Sequence, residues 1–347
     1  MDSNKTMKYR FGICGPFDFQ EKGTGGQSVK TREFYYVLSE KVGKEQISIL
    51  ESTLFKKNPV KFFLNYVKLL RECDHIIIFP AQNGIRFLAP ISALFKADGK
   101  IHYSVIGGWL PTMVQERPML RKFLACFDTI LVETNVMKRE LEALGLKNVR
   151  RLLNFKRLDP VSEDGILDHE PIRLCYFSRI AKEKGIEDAI TVVKQVNNSS
   201  IRCLFDIYGP VIPEYEKEFE KICLALPKEI KYCGKIAPEK SIDTLKEYDI
   251  QLFPTRYPTE GIPGSIIDSY FAGVPVLAAR WNSFDDVVKN GETGFGYEQK
   301  STEDLYNKLD YILKHKLLIK IMKKNCLEEA LKYSPERVMS DFFQIIE

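Results

Sequence analysis

The sequence predicts an α/β protein with two parallel sheets, each covered by helices, in two consecutive Rossmann-like domains. Short runs rich in Ile, Val, Leu, Phe and Tyr alternate with helical patterns along the 347 residues. Such alternation is typical of parallel sheets with helices on both faces. The pattern restarts after 154–171, a polar segment without periodicity that contains Pro160, Gly165 and Pro171. The chain is long enough for two domains of ordinary size.

The predicted elements follow from this alternation. Strands are expected at 9–14, 46–51, 75–80, 101–106, 130–133 and 149–153, and then at 173–177, 203–208, 230–233, 250–253 and 275–278. Helices are expected between them, among others at 28–40, 136–144, 186–196, 214–226 and 239–247. Ser334-Pro335-Glu336 predicts the start of a last helix, because Pro suits a first turn. We therefore expect domains at 1–158 and 159–330 and a C-terminal helix at 331–347.

Composition and charge narrow the class of protein. Hydrophobic residues make up 44% and charged residues 28%, as in globular proteins. The net charge of +4 is too small to indicate a nucleic-acid partner, but it suits an acidic ligand or an anionic membrane surface. The eight cysteines form no Cys-x-x-Cys pair, so buried free thiols in a reducing cytosol are expected. The first residues lack the apolar core of a signal peptide, and we expect a cytoplasmic protein.

The run 260–277 predicts an anion site flanked by two carboxylates. It reads as a loop, a helix start, a short helix and a buried strand. Gly264 and Ser265 offer free backbone N–H groups at the helix start, which favours phosphate. Glu260 lies just before this start, and Asp268 lies about one turn inside the helix. A nucleotide sugar carries both the phosphate and the hydroxyls that such a site suits, although a loop-capped helix with one solvated acid fits the same run.

Two cations follow the first strand of the second half. Arg179 and Lys184 stand where a strand ends and the next helix begins, the edge at which open α/β sheets bind ligands. Arg offers a planar fork to phosphate oxygens and Lys a mobile point charge. The alternative is a solvated basic turn, which is our interpretation of Lys182. Arg256, in the loop before Glu260, is either a substrate contact or a solvated residue.

The run 260–277 resembles the donor-site signature of family-4 glycosyltransferases with the GT-B fold. In that signature two acids are separated by seven residues and followed by a small-residue helix and Gly-Val-Pro-Val; the second acid is usually Glu and is Asp268 here. Arg179 and Lys184-Gly185 match the family's Arg and Lys-Gly. The resemblance covers nearly the whole chain, most specifically 173–297. It implies two Rossmann-like domains facing across a cleft, a C-terminal helix crossing back, and retaining transfer of a hexosyl group from a nucleotide sugar, by family frequency a UDP-sugar.

The resemblance also implies roles for individual residues. Arg179, Lys184 and the helix start would stabilise the departing diphosphate, and Glu260 would orient the sugar; these side chains form the expected catalytic group. Asp268 would bind the ribose hydroxyls. The remaining expected donor-binding residues are Ile262, Gly264, Ser265, Gly25, Gly26, Gly209, Lys235 and Ile236. No Asp-x-Asp motif lies in a suitable place, so we expect neither a bound metal nor a cofactor.

The first half is expected to bind the acceptor. Gln27 and Lys30 open the helix after the Gly-rich loop 23–26, and Gly108 and Trp109 follow the fourth strand. Trp109 suits stacking on a sugar or a lipid-linked acceptor, but a packing role fits equally well. Many family members have His after that strand, whereas this sequence does not. The four histidines are therefore interpreted as structural or surface residues.

Residues 56–71 predict a basic, aromatic, amphipathic helix capped by Asn58, with Pro59 at its first position. Val60, Phe63, Leu64, Val67 and Leu70 are expected on one face, and Phe62, Tyr66 and Leu69 are expected to widen the apolar surface. Such a helix suits peripheral contact with the inner membrane face, or it simply covers the sheet.

The acceptor is expected to be a glycan or a lipid-linked sugar in surface polysaccharide or glycolipid assembly. Two alternatives stay open. One is a nucleotide-sugar epimerase on the same fold, although no histidine or carboxylate pair stands out at the first-domain strand ends. The other is a partner subunit that binds nucleotide sugars without turnover.

Overall fold

The computed structural model describes residues 9–19, 26–96, 98–162 and 169–347. These residues form two compact units. The first consists of the described residues up to Phe155 together with Pro335–Glu347, and the second is Lys156–Ser334. Each unit contains a six-stranded sheet, and all strand pairs in both sheets are parallel. The predicted α/β class with two parallel sheets is confirmed.

Eleven of the strands lie within two residues of their predicted positions, and a twelfth, β12 (Gly294–Tyr297), was not predicted. In the first unit they are β1 (Tyr9–Gly15), β2 (Ile47–Glu51), β3 (Cys73–Ile78), β4 (Lys100–Ser104), β5 (Thr129–Val132) and β6 (Val149–Arg151). In the second unit they are β7 (Ile172–Phe177), β8 (Cys203–Tyr208), β9 (Ile230–Gly234), β10 (Ile250–Phe253), β11 (Val276–Ala279) and β12 (Gly294–Tyr297). The spatial orders are β2-β1-β3-β4-β5-β6 and β12-β11-β10-β7-β8-β9.

The helices fall between the strands and after them. Before β7 they are α1 (Gly26–Val42), α2 (Leu54–Lys57), α3 (Pro59–Glu72), α4 (Gln82–Phe95), α5 (Leu110–Glu116), α6 (Pro118–Leu124) and α7 (Asn135–Ala143). After β7 they are α8 (Ile186–Val196), α9 (Glu216–Leu224), α10 (Ser241–Leu245), α11 (Gly264–Phe271), α12 (Thr302–Lys314), α13 (Lys316–Ala330) and α14 (Pro335–Ile346). The last helix packs in the first unit, where Phe342 meets Phe34 of α1 with ring centroids 5.0 Å apart.

Strand β12 was not predicted. Its sequence, Gly294-Phe295-Gly296-Tyr297, contains two glycines, which strands generally disfavour. The structure gives the reason for the first of them. A Cβ atom on Gly294 would lie 2.1 Å from the carbonyl oxygen of Val276 in β11, so close pairing at this sheet edge needs glycine.

Helix α3 covers the sheet, which was one of the two interpretations of residues 56–71. Its predicted start is confirmed, because the Asn58 side chain accepts a hydrogen bond from the Lys61 N–H at 2.9 Å. The predicted apolar face was wrong in part: the side chains that enter the core are Phe62, Tyr66, Leu69 and Leu70. Val60 and Leu64 point to solvent among lysines. The apolar surface of this helix is wider than one packing face requires.

The second sheet creates a crevice where its strand order reverses. β7 and β10 are neighbours, with Ile250 paired to Leu174, yet the chain moves away from β7 toward β8 and β9 before it returns to β10. The loops that leave the carboxyl ends of two such strands diverge to opposite sides, and ligands of open α/β sheets bind between them. The fold therefore marks the ends of β7 and β10 as a binding position.

The cysteines and histidines have structural surroundings. All eight cysteines lie in described residues as free thiols, and five of them are buried. His169 contacts the buried carboxylate of Asp249, and His315 is exposed near the end of α12. Among the helices of the described ranges, none combines the length and apolar character needed to cross a membrane.

Two histidines form a hydrogen-bonded chain inside the first unit. His75 Nδ1 lies 3.0 Å from His102 Nε2, and His102 Nδ1 lies 2.6 Å from the Thr129 hydroxyl. The His102 ring is buried, and burial together with the neighbouring His75 ring lowers its pKa to about 3. Burial also lowers the pKa of His75.

We predict that these two histidines make the first unit less stable in acid. Below about pH 6.5 the unfolded chain protonates His102 while the folded unit does not, so the free energy of unfolding falls by about 1.4 kcal/mol for each pH unit until the pH nears the folded pKa. Denaturant unfolding at pH 7 and pH 5 would measure this, with Trp281→Phe as background so that Trp109 alone reports on the first unit.

His102→Gln should reduce this pH dependence by about 2 kcal/mol between those conditions. His315→Asn, in the second unit, is the control and should leave the first unit's pH dependence unchanged. Equal slopes with and without His102 would contradict the prediction.

Candidate functional site

The loops after β7 and β10 touch at the strand-order reversal. Gly185, at φ +69°, ends the turn after β7, and a Cβ atom there would lie 1.9 Å from the carbonyl oxygen of Pro254, directly after β10. Only glycine can adopt this φ and also leave room for the Pro254 carbonyl group. The loop after β10 is tied back at the same place, because the Arg256 N–H donates to the Glu183 carbonyl at 2.8 Å.

Lys184 and Glu260 form an ion pair in this crevice. The Lys184 ammonium hydrogen-bonds Glu260 Oε1, and the Thr255 hydroxyl donates to the same oxygen at 2.8 Å. The ammonium also lies 5.2 Å from the centroid of the Tyr257 ring and 5.7 Å from that of Phe253. The two charged side chains are only 11% and 15% exposed, so each supplies the counter-charge that the other needs. The structure thus brings together two of the three predicted catalytic residues.

Helix α11 begins four residues after Glu260, without a side-chain cap. Pro263 occupies the cap position, and its carbonyl accepts from the N–H groups of Ile266 and Ile267. In the described part of the chain no group accepts from the N–H groups of Gly264 or Ser265. Ile262, before the cap, is buried. The helix start therefore has the open donors that an anion requires.

Asp268 is covered by a lysine that the sequence did not point to. Both carboxylate oxygens lie 2.5 Å from Lys156 Nζ. Burial raises the pKa of Asp268 above its ordinary value, and the Lys156 ammonium opposes that rise. The acid predicted to bind ribose hydroxyls is therefore engaged within the protein.

The other donor-side candidates of the second unit lie at the carboxyl ends of adjacent strands. Arg179 follows β7 and is exposed, while Lys235 and Ile236 follow β9 and are exposed and half-buried. Gly209, after β8, has a spacing role, since a Cβ atom there would lie 1.8 Å from the Ser178 carbonyl oxygen. Because β10, β7, β8 and β9 are consecutive in the sheet, all these positions share one edge.

Arg256 fits neither interpretation that the sequence allowed. Its guanidinium makes a two-pronged ion pair with Asp188 in the first turn of α8, with Nε–Oδ2 at 3.0 Å and Nη2–Oδ1 at 2.7 Å. The hydrogen bond to Asp188 raises the pKa of Arg256. The side chain thus anchors the loop between Thr255 and Glu260 to the helix after β7.

The first-unit candidates make mostly internal contacts. Gly25 lies outside the described residues, and Gly26 is the first residue of α1. The Gln27 amide donates to the Phe79 carbonyl at 2.6 Å, which ties α1 to the end of β3. Gly108 is buried. The Trp109 indole donates to the Ile106 carbonyl at 2.7 Å and packs on the core, which matches the packing interpretation.

Lys30 and Glu133 form a buried ion pair at the carboxyl edge of the first sheet. Lys30 Nζ lies 2.6 Å from Glu133 Oε1 and 3.3 Å from the Val105 carbonyl. Glu133 directly follows β5 and was not among the predicted site residues; the expectation concerned a histidine or a pair of carboxylates, and this acid is paired with a lysine. The sequence carried a signal, an acid immediately after an apolar run, but not its pairing with Lys30. The acceptor-side role expected for Lys30 stays a prediction, and in the structure its ammonium is paired with Glu133.

Comparison with known proteins points in the same direction as this geometry. Residues 161–331, just under half of the chain, match the family model for glycosyl transferases group 1. The sulfoquinovosyl transferase of Arabidopsis thaliana is 26% identical over 161 residues, which are 46% of this chain and 30% of that protein. The alpha-D-kanosaminyltransferase of Streptomyces kanamyceticus is 27% identical over 171 residues, or 48% of this chain and 43% of that protein. The chain thus spans less than half the length of these curated relatives.

Solved structures match the whole chain more fully. Anabaena HepE in complex with UDP-glucose has a TM-score of 0.75 at 14% identity and covers 97% of this chain and 99% of its own. Sucrose-phosphate synthase from Thermosynechococcus elongatus has a TM-score of 0.79 at 14% identity, with 97% and 98% covered. This chain has the GT-B fold, and its sequence relatives support a glycosyltransferase family.

Proposed function

We propose that this protein is a retaining glycosyltransferase that moves a hexosyl group from a nucleotide sugar, expected to be a UDP-sugar, to a glycan or lipid-linked acceptor. The observation that carries the proposal is the meeting of Lys184, Glu260 and the uncapped start of α11 where the strand order reverses. A phosphate-binding donor set next to a carboxylate suits a diphosphate joined to a sugar.

The proposed reaction places its largest developing charge on the diphosphate. The bond from the sugar's anomeric carbon to the phosphate oxygen breaks, and its electron pair stays on that oxygen. Arg179, Lys184 and the N–H groups of Gly264 and Ser265 stabilise this charge. The acceptor oxygen bonds to the anomeric carbon on the same face, and its proton passes to the departing phosphate. Glu260 holds sugar hydroxyls and orients the ring.

Transfer is favoured over epimerisation by the state of the first unit. An epimerase needs an acid or base that exchanges protons with the sugar. Two carboxylates at strand ends there are engaged within the protein: Glu133 is buried and tied to Lys30, and Glu51 accepts from the N–H groups of Phe17 and Asp18. Transfer needs no such group when the leaving phosphate takes the proton. We also propose that no metal is required, since the cations named above supply the positive charge.

We further propose a cytoplasmic protein that contacts the inner membrane face through α2, α3, α4 and α6, where it takes a lipid-linked acceptor for surface polysaccharide or glycolipid assembly. Residues 54–124 carry eleven Lys and Arg against four Asp and Glu, whereas the whole chain carries 51 against 47. The exposed apolar side chains of these helices are Phe55, Val60, Leu64, Phe87, Leu94 and Met119. Cations around apolar side chains suit an anionic lipid surface.

Donor binding is the first test of the enzyme proposal. UDP-, GDP-, ADP- and dTDP-sugars would be screened by thermal shift, since a ligand that binds only the folded state raises the Tm. One nucleotide series should stabilise the wild type. Glu260→Gln and Lys184→Met should lower the transfer rate by about 100-fold or more, because each loses a contact to the reacting group.

Lys182→Ala is the matched control: this exposed lysine pairs with Glu218 at the surface, and its loss should change neither binding nor rate. Activity should persist in EDTA. If no nucleotide sugar raises the Tm at millimolar concentration, the proposed donor site is wrong. Donor turnover to an isomer without an acceptor would favour the epimerase.

Membrane contact predicts a second result. Val60→Asp with Leu64→Asp should weaken binding to phosphatidylglycerol vesicles by about tenfold or more, because two exposed apolar anchors are lost and two negative charges are added. Vesicle co-sedimentation measures this. The control is Ile201→Asp with Leu224→Asp, two exposed apolar residues of the second unit. Equal binding of both variants, or equal binding to phosphatidylcholine vesicles, would contradict the membrane proposal.

A further inference from the structure

We propose that Lys156 is a diphosphate-binding residue of this protein and that Asp268 is the residue which positions it. The inference rests on the proposed function, because it names a further contact to the same nucleotide. The sequence indicates that a ligand near residue 268 meets the carboxylate of Asp268. Under this inference the ligand meets the ammonium of Lys156.

Exposure decides which partner of the pair faces a ligand. The Lys156 side chain is 22% exposed, whereas that of Asp268 is 4% exposed. Lys156 Nζ lies 2.5 Å from each carboxylate oxygen and so caps the carboxylate evenly. A ligand that approaches this part of the second unit reaches the ammonium first. Displacing it would leave Asp268 as a buried unpaired charge, which costs several kcal/mol in typical proteins.

The same ammonium lies beside the uncapped helix start. A Cβ atom on Gly264, the first residue of α11, would be 3.3 Å from Lys156 Cε and 3.6 Å from Lys156 Nζ. The full charge of Lys156 is thus added to the partial positive charge of the helix N-terminus. The ligand chemistry that fits both is an anion with several oxygens, and the diphosphate of the proposed donor is that anion.

The backbone fixes the lysine in this place. The Lys156 N–H donates to the Tyr333 carbonyl at 3.3 Å, and the Val161 N–H donates to the Phe271 carbonyl at the end of α11 at 2.9 Å. Segment 156–161 is therefore tied to the helix that carries Asp268. The side chain of Asp268 leans toward the helix N-terminus, as helical side chains do, and holds the ammonium there.

A competing interpretation gives the opposite sign for one variant. If Asp268 itself binds the ribose and Lys156 only covers it in the free protein, then removing the lysine uncovers the acid and strengthens binding. If Lys156 binds the diphosphate, the same change weakens binding. The direction of the Lys156→Met effect therefore separates the two.

The experiment is a calorimetric titration with UDP, or with GDP, ADP or dTDP where UDP does not bind, of the full chain and five variants. Lys156→Met should lower the affinity by about tenfold or more, as expected when a charge-assisted contact is lost. Lys156→Arg should retain most of the affinity. Asp268→Asn should show a smaller loss, and the double variant should bind no worse than Lys156→Met alone, because both changes act through one ammonium.

The corresponding nucleoside and monophosphate locate the contact. The loss caused by Lys156→Met should be largest for the diphosphate and absent for the nucleoside. Lys182→Met is the control and should bind like the wild type. The double variant also guards against misfolding, since it leaves no unpaired buried charge where Lys156→Met leaves Asp268.

Three results would overturn the inference. Tighter binding by Lys156→Met would assign the contact to Asp268. Unchanged binding would make the pair structural only. A wild type that binds none of the four diphosphates would remove the proposed function itself, and this inference with it, which sets that failure apart from the first two.

Discussion

The reversal of strand order between β10 and β7 is the constraint on which the candidate site depends. Lys184 and Glu260 are 76 residues apart in the chain, and they meet because the strands that precede them are neighbours. Parallel strands end at one edge of a sheet, so each loop there begins beside the next strand's loop. Gly185 then lets the two loops touch, and the Arg256–Asp188 pair holds the second loop against α8. Remove the reversal, and the same residues would follow separate strands with no shared crevice.

Charge pairing is the second organising feature, and it repeats at the carboxyl edges of both sheets. Lys184 is held by Glu260, Lys156 by Asp268 and Lys30 by Glu133. Buried and partly buried cations need such partners, because removing an unpaired charge from water raises the free energy of the folded state. In the pair of Lys30 with Glu133, both side chains are almost fully buried. The pair of Lys184 with Glu260 is partly exposed. Its lysine is already held in position by the carboxylate, so an anion that binds there does not have to order the lysine side chain.

The sequence predicted what depends on neighbours in the chain. Strand positions came out within two residues because apolar runs and helix signals are local, and Asn58 caps α3 for the same reason. Strand β12 was not predicted because glycine has no strand preference of its own, and the close approach of Gly294 to Val276 cannot be deduced from its sequence neighbours. The ion-pair partners of the site residues were not predicted for a different reason. Nothing near 156 in the sequence indicates residue 268, and nothing near 30 indicates Glu133, since both pairings exist only once the strands are ordered.

The distribution of charge separates two tasks between the units. The excess of cations in 54–124 means that the rest of the chain carries slightly more acidic than basic residues. The second unit therefore does not attract the proposed anionic donor by net charge; under the proposed function it binds that donor through placed groups, such as Lys184, Arg179 and the start of α11. The first unit has the opposite character: its cations are spread over exposed helices among apolar side chains, a pattern that suits a surface better than a small molecule. In the proposed function, donor binding depends on local geometry and surface attachment on composition. This difference explains why the sequence carries a local signature for the proposed donor site and no comparable motif for the acceptor.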